Sequence, residues 1–188
     1  MRIAILASGN GSNFEAIAQA VKEKKIAAEI VLLFSDHRDA YVLKRGEKFA
    51  ISCESFELKE FPNKKKYETA LLELLNQYRV DLVVLAGYMR IIGKELLAAY
   101  PKRIINIHPA LLPDFPGLHG IKDAYEAGVS ETGVTIHYVD SGVDTGPIIA
   151  QKKVSIEKND HLADLETKIH QLEHQLYPEI LAKIVNEQ

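Results

Sequence analysis

Near-continuous apolar runs alternate with amphipathic stretches through the first 108 residues, and this alternation restricts the fold more than any other feature. Residues 2–7 (Arg-Ile-Ala-Ile-Leu-Ala), 29–35 (Glu-Ile-Val-Leu-Leu-Phe-Ser) and 81–86 (Asp-Leu-Val-Val-Leu-Ala) lack the polar alternation of half-exposed strands. They read as strands covered on both faces. A short strand near 51–55 and another over 104–108 follow the same rule. Between them, helices are predicted over 13–24, 41–49, 64–78 and 93–99. In the third of these, Tyr67, Leu71, Leu74, Leu75 and Tyr78 recur at helical spacing. A βαβα order of this kind gives a mostly parallel twisted sheet with helices on both faces.

The second half changes character. Residues 109–120 are rich in Pro and Gly and read as a long irregular loop, followed by a helix near 120–127 that ends at Gly128. Thr132–Val139 and Ile148–Ile156 read as two strands joined by Asp140–Pro147, expected to pair antiparallel at one side of the sheet. The last element is a long amphipathic helix with a core stripe of Leu162, Leu165, Ile169, Leu172 and Leu176, which Pro178 is expected to kink or break. No linker, repeat or low-complexity segment interrupts the chain. The expectation is therefore one α/β domain over residues 1–188, with a sheet of about seven strands.

Composition excludes several classes. A net charge of −3 gives no basic surface for nucleic acid as a bulk partner. The basic run Lys64-Lys65-Lys66 falls at a predicted helix start and reads as a solvated helix end. A single cysteine, Cys53, rules out an internal disulfide, and no cysteine cluster or HExxH pattern points to a metal. The N-terminal apolar run is too short for a signal peptide, and no stretch is long enough to span a membrane. A reducing cytoplasm is the expected compartment, with a monomer or homodimer as the expected state.

Ligands of such sheets bind beyond the carboxyl ends of the strands. Three segments there carry unusual polar content. Ser8-Gly9-Asn10-Gly11-Ser12-Asn13 joins a buried strand to a helix. Its glycines and free N–H groups suit an anion, and Ser12 and Asn13 are placed to cap the helix. Phe14 replaces the last Gly of a dinucleotide motif and no Gly-Lys-Ser/Thr follows, so a single phosphate fits better than ATP or NAD. Asn106-Ile107-His108-Pro109 ends a strand. Strand alternation points Asn106 and His108 the same way, an amide donor beside a titratable imidazole. That pair suits a reaction that builds charge on an oxygen while a proton moves. Asp140-Ser141-Gly142-Val143-Asp144-Thr145-Gly146-Pro147 is a turn whose carboxylates, if one reaches His108, would favour the imidazolium. On the last helix, Glu166, His170 and Glu173 lie off the leucine stripe, facing solvent or a ligand. Each motif alone also occurs in plain structural settings: a satisfied strand-end His, a capped turn, a hairpin loop. No nucleophile elbow is present, which favours direct transfer between two bound substrates over a covalent intermediate.

The ordered set resembles the folate-dependent glycinamide ribonucleotide formyltransferases over essentially the whole chain. The likeness rests on the 8–13 and 106–109 motifs, on Leu85-Ala86-Gly87-Tyr88-Met89-Arg90, Ala110-Leu111-Leu112-Pro113 and Pro116-Gly117-Leu118-His119. It continues through Gly133-Val134-Thr135-Ile136-His137-Tyr138-Val139-Asp140, Asp144-Thr145-Gly146-Pro147 and Glu173-His174. It implies a formyltransferase-type fold and formyl transfer from 10-formyltetrahydrofolate, a co-substrate, to the glycine amine of phosphoribosylglycinamide through a tetrahedral intermediate. It implies no metal. By this resemblance Gly11, Ser12 and Asn13 would hold the phosphate, with Glu173 and His170 beside the ribose and phosphate. Lys64, Met89, Arg90, Ile91, Ile92, Asn106, Asp140, Val143 and Asp144 would hold the folate. Asn106 would take the oxyanion, His108 would move the proton and Asp144 would hold and polarise His108.

The chain departs from the family pattern at two positions. Lys64 stands where many relatives carry an arginine, losing the bidentate fork, and His170 stands where glutamine is common. The C-terminus is also short compared with some relatives. Related readings share the Asn-x-His…Asp core: tRNA formyltransferases, which carry a further C-terminal domain, and formyltetrahydrofolate hydrolases, which carry an N-terminal regulatory one. This chain is expected to have neither. A non-catalytic phosphometabolite sensor would need only the Gly11–Asn13 loop, not the intact Asn106, His108 and Asp144.

Overall fold

The structure is a computed structural model that describes residues 1–187. Among these residues one sheet holds seven strands: β1 (Arg2–Leu6), β2 (Glu29–Ser35), β3 (Cys53–Ser55), β4 (Leu82–Leu85), β5 (Ile104–His108), β6 (Glu131–Tyr138) and β7 (Ile148–Ser155). The helices are α1 (Ser12–Lys22), α2 (Tyr41–Lys48), α3 (Lys64–Gln77), α4 (Lys94–Ala99), α5 (Gly120–Glu126) and α6 (Leu162–Asn186). A short 3₁₀ turn at Leu58–Glu60, not anticipated from periodicity, precedes α3. The spatial order is β3-β2-β1-β4-β5-β6-β7. Strands β1–β5 pair in parallel, and β6 and β7 are antiparallel additions. The mostly parallel, seven-stranded expectation holds, down to the antiparallel pair at one side.

The sheet separates two apolar layers, as continuous runs in β1, β2, β4 and β5 require. On one face Ile3, Ile5, Val84 and Ile105 pack with Phe14 and Ile17 of α1, Val42 of α2 and the apolar stripe of α6. On the other, Ala4, Leu6, Val83 and Ile104 pack with Tyr67, Leu71 and Leu75 of α3 and Leu96 of α4. Because β1 lies between β2 and β4, the chain reverses its direction of travel across the sheet there. Such a switch point opens a crevice beyond the strand ends. The loops after β1 and β4 meet at this point: Ser8 N donates to Gly87 O at 2.9 Å and Met89 N to Ser8 Oγ at 2.9 Å.

Two local expectations fail in whole or in part. Helix α6 runs on through Pro178 to Asn186, so of the kink or break expected there the break is excluded. The missing donor is outweighed by burial on both sides of it, with Tyr177, Ile180, Leu181 and Ile184 all held on the core face. Tyr177 adds a fixed point, its buried hydroxyl donating to Leu85 O at 2.8 Å and lying 3.3 Å from Ile105 O. Ser12 and Asn13 do not cap α1. Gly11 is the cap residue, in the left-handed region at φ 79°, and no side chain bonds the free N–H groups. A Cβ at Gly11 would collide with Val42, so α2 packs directly against the loop. No helix is long and apolar enough to cross a membrane among the described residues.

Candidate active site

A cleft of about 360 Å³ opens beyond the ends of β4, β5 and β6, within the usual size of small-molecule sites. Its lining brings together Met89, Arg90, Ile91, Ile92, Asn106, His108, Asp140, Val143 and Asp144, joined by Gly117, Leu118, His137 and Val139. Asn106 and His108 do share one face of β5. The rim is apolar and open, with Met89 60% and Ile91 59% exposed, whereas His108 at the floor is 3% exposed. Such a site can seat a flat apolar ligand above a dry polar floor.

The polar floor is built by strand pairing. Asn106 lies opposite His137 and His108 opposite Thr135 in the β5–β6 ladder, and directly opposed side chains on one face meet. His137 Nδ1 donates to Tyr138 O at 2.9 Å, so Nε2 is left to accept from Asn106 Nδ2 at 3.2 Å. The second amide N–H of Asn106 then remains for a ligand oxygen. His108 Nε2 donates to Phe115 O at 2.8 Å, and its Nδ1 lies 3.3 Å from Asp144 Oδ2. Asp144 Oδ2 also accepts from Gly117 N at 2.8 Å, and Oδ1 lies 3.5 Å from His137 Nε2. Thr135 Oγ1 donates to Ala110 O at 2.6 Å and accepts from Leu112 N at 3.0 Å, which fixes the chain just after His108. Asp144 itself sits in the left-handed region at φ 55°, a strained conformation for a non-glycine that aims its carboxylate at both imidazoles. Burial acts against the Asp144 charge, yet the His137 contact, the Gly117 N–H and the two nearby imidazoles outweigh it and hold its carboxyl below the ordinary value.

A second polar cluster forms around the 8–13 loop. Glu173, expected off the core stripe, is 5% exposed. It faces α1 rather than solvent: its Oε2 accepts from Asn13 Nδ2 at 3.2 Å and from His170 Nδ1 at 3.0 Å. Gly11, Ser12, Asn13, His170 and Glu173 thus converge, outside the cleft lining but tied to it through Ser8. Arg45 of α2 braces the loop, donating to Asn10 O and Asn10 Oδ1, each at 2.9 Å, and pairing with Glu15. The hydrogen bond to Glu173 raises the pKa of His170, whereas burial lowers that of His174 one turn on.

Two residues sit differently from the rest. Lys64 lines a neighbouring pocket with Tyr67, Glu68 and Leu71, not the main cleft, and lies 3.6 Å from Glu68. Arg90 lines both, but its Nε is 2.7 Å from Oδ2 of Asp36, a charge contact without hydrogen-bond alignment, and its guanidinium lies 5.5 Å from the centre of the Tyr67 ring. Asp36, 1% exposed and set against Arg90, lay in none of the motifs, and His137 lay in one that gave it no role. A histidine inside the run Val134–Val139 was the visible signal for the second. Among the described residues no group of three His, Cys, Asp or Glu side chains is placed to hold a metal.

The arrangement can orient an amide donor toward a developing oxyanion and carry a proton on a carboxylate-backed imidazole. Residues 1–181 match the formyl transferase family. The chain is 49% identical to phosphoribosylglycinamide formyltransferase of Bacillus subtilis, covering 98% of this chain and 94% of that protein. It is 37% identical to the Escherichia coli protein of the same name, covering 97% and 86%. The solved structure of phosphoribosylglycinamide formyltransferase from Bacillus halodurans superposes with a TM-score of 0.97 at 50% identity, covering 100% of this chain and 96% of that one.

Proposed function

The chain belongs to the formyl transferase family, and from that premise we propose that it moves a formyl group from 10-formyltetrahydrofolate to the glycine amine of phosphoribosylglycinamide. The products are the formylated ribonucleotide and tetrahydrofolate. The folate supplies the formyl carbon. The amine nitrogen bonds to that carbon, the carbon–nitrogen bond to the folate breaks, and one proton passes from the amine to the departing nitrogen. Residues 1–188 act as one catalytic unit in the cytoplasm.

Asn106 takes the oxyanion with the amide N–H that His137 leaves free, a contribution of roughly 3–4 kcal/mol for a donor of this kind. His108 carries the proton, contributing roughly 10²–10⁴ in rate. Asp144 balances the positive charge on the ring and holds its Nδ1 side. Met89, Ile91, Ile92 and Val143 seat the folate against the apolar rim, with Asp140 and Asp144 on its polar edge. The loop Gly11–Asn13 takes the phosphate on its uncapped N–H groups, and Glu173 takes the ribose. No covalent intermediate with the protein is needed, since holding both substrates in line supplies much of the remaining acceleration.

The observation that carries this reading is the Asp144 carboxylate 3.3 Å from His108 Nδ1, at the floor of a cleft that also exposes Asn106. The test is a folate absorbance assay with purified protein and three acceptors: phosphoribosylglycinamide, water and methionyl-tRNA. Conversion only with the ribonucleotide is expected. Equal conversion without it identifies a hydrolase, and conversion with the tRNA identifies a tRNA formyltransferase; either overturns the assignment.

A further inference from the structure

Glu173 poses an electrostatic problem. A nearly buried carboxylate touches Asn13, on the loop assigned to a phosphate. Two like charges there repel, and the low local dielectric makes the repulsion costly. A cation must offset one of them. Arg45 of α2 braces the loop, but its guanidinium nitrogens are committed to Asn10 and Glu15. Among the described residues no lysine or arginine pairs with Glu173; His170 does, Nδ1 to Oε2 at 3.0 Å.

We infer that His170 is the titratable charge partner of Glu173 and sets the affinity for the phosphorylated substrate, so that binding weakens as the imidazole loses its proton. The inference rests on the phosphate assignment of the Gly11–Asn13 loop. The half-exposed ring reaches solvent and can exchange its proton freely. The hydrogen bond to Glu173, opposed by burial and helped by the charges of Glu173 and Glu166, raises the pKa of the ring from its ordinary value. The neighbouring histidine does not compete for that role. His174 is half-buried, its Nε2 has no partner, and burial depresses its pKa, with the charges of Glu173 and Glu15 opposing and those of His170 and Arg45 reinforcing. The groups around His170 are therefore Glu166, Glu173 and His174 on α6 and the neutral Asn13 on α1, with Glu15 and Arg45 beyond His174.

The sign is fixed by this set. Below the raised pKa, His170 and Glu173 form a neutral pair and the phosphate meets only the helix N–H groups. Above it, the phosphate faces an uncompensated carboxylate. The phosphate's own second ionisation, with a pKa of about 6, acts in the opposite direction. It is common to all variants and cancels in their ratio.

Calorimetric titration tests the inference, using phosphoribosylglycinamide and its dephosphorylated counterpart with wild type, His170→Gln and His170→Lys between about pH 6 and about pH 8.5, a window spanning histidine ionisation. The wild-type to His170→Gln affinity ratio for the phosphorylated ligand is expected to fall roughly tenfold across that window, the effect of one charge pair at a half-exposed site. The ratio for the dephosphorylated ligand should stay flat, and His170→Lys should keep tight binding at high pH. Parallel profiles in wild type and His170→Gln would overturn the role of His170 alone. Equal affinity of wild type for the two ligands at low pH would instead overturn the phosphate assignment beneath it.

Discussion

Replacing Asp144 by Asn removes one charge from the centre of the site while keeping its shape. The amide oxygen of Asn can still accept from Gly117 N, so the loop keeps the 2.8 Å contact that fixes it. What is lost is attraction between a carboxylate and an imidazolium 3.3 Å apart. Coulomb's law gives about 5 kcal/mol for that separation at an effective dielectric of about 20, and about 1.3 kcal/mol in bulk water. Asp144 is 13% exposed at its side chain. A value between the limits applies, roughly 2–4 kcal/mol, or about 30- to 1,000-fold in kcat. The assay is initial rate by folate absorbance with both substrates saturating, alongside thermal melting to show that the variant is folded. Because the carboxyl of Asp144 is held below its ordinary value, the wild-type charge persists into acid and is lost only as pH falls through that lowered pKa. Its contribution to stability has the same window, present above the unfolded carboxylate pKa and absent from the Asn variant. A folded Asp144→Asn enzyme within about twofold of wild-type kcat would refute the role given to this carboxylate.

Ser12→Ala combined with Asn13→Ala leaves the backbone N–H groups in place but cuts the Asn13–Glu173 hydrogen bond that ties the loop to α6, so KM for phosphoribosylglycinamide should rise about two- to tenfold while kcat changes little, a net hydrogen bond being worth roughly 0.5–1.5 kcal/mol. An unchanged KM would show that the tie between this loop and α6 does not support phosphate binding. Tyr177→Phe deletes the buried hydroxyl shared by Leu85 O and Ile105 O. It should cost about 1–2 kcal/mol, lowering Tm by roughly 2–8 °C for a chain of this size; an unaltered melting curve would show that this contact does not help dock α6 on the sheet.

The layers of the fold were legible because covered parallel strands write themselves as uninterrupted apolar runs, and those runs were found in β1, β2, β4 and β5. The misread details share a cause: local rules gave way to packing at a distance. Pro178 is a helix breaker by local chemistry, yet the residues on both sides of it are buried against the sheet. Ser12 is a good cap by type, but Gly11 in the left-handed region takes the cap position because α2 lies against the loop. The N–H groups are thereby left without side-chain caps, which is the condition an anion site requires. Glu173 is off the leucine stripe by helical arithmetic and still buried, because α1 covers the flank of α6 that carries it.

The site was legible in its residue types and not in its contacts, for a reason that lies in sheet order. Asn106 and His108 are two apart on one strand, so their common face follows from alternation alone. Asp144 and His137 join them only because β6 pairs antiparallel to β5 in a register that sets His137 opposite Asn106. A shift of one residue would turn His137 to the other face and deprive Asn106 of the partner that orients its amide. Asp36 and Arg90 meet for the same kind of reason: they follow β2 and β4, which flank β1 in the sheet. Periodicity reveals which segments are strands but not which strands are neighbours. The proton-handling centre is therefore written in two parts: the chemistry in three short motifs, the distances in the order β4-β5-β6. A substitution on β6 that leaves Asn106, His108 and Asp144 in place but alters that register should abolish transfer as surely as removing His108.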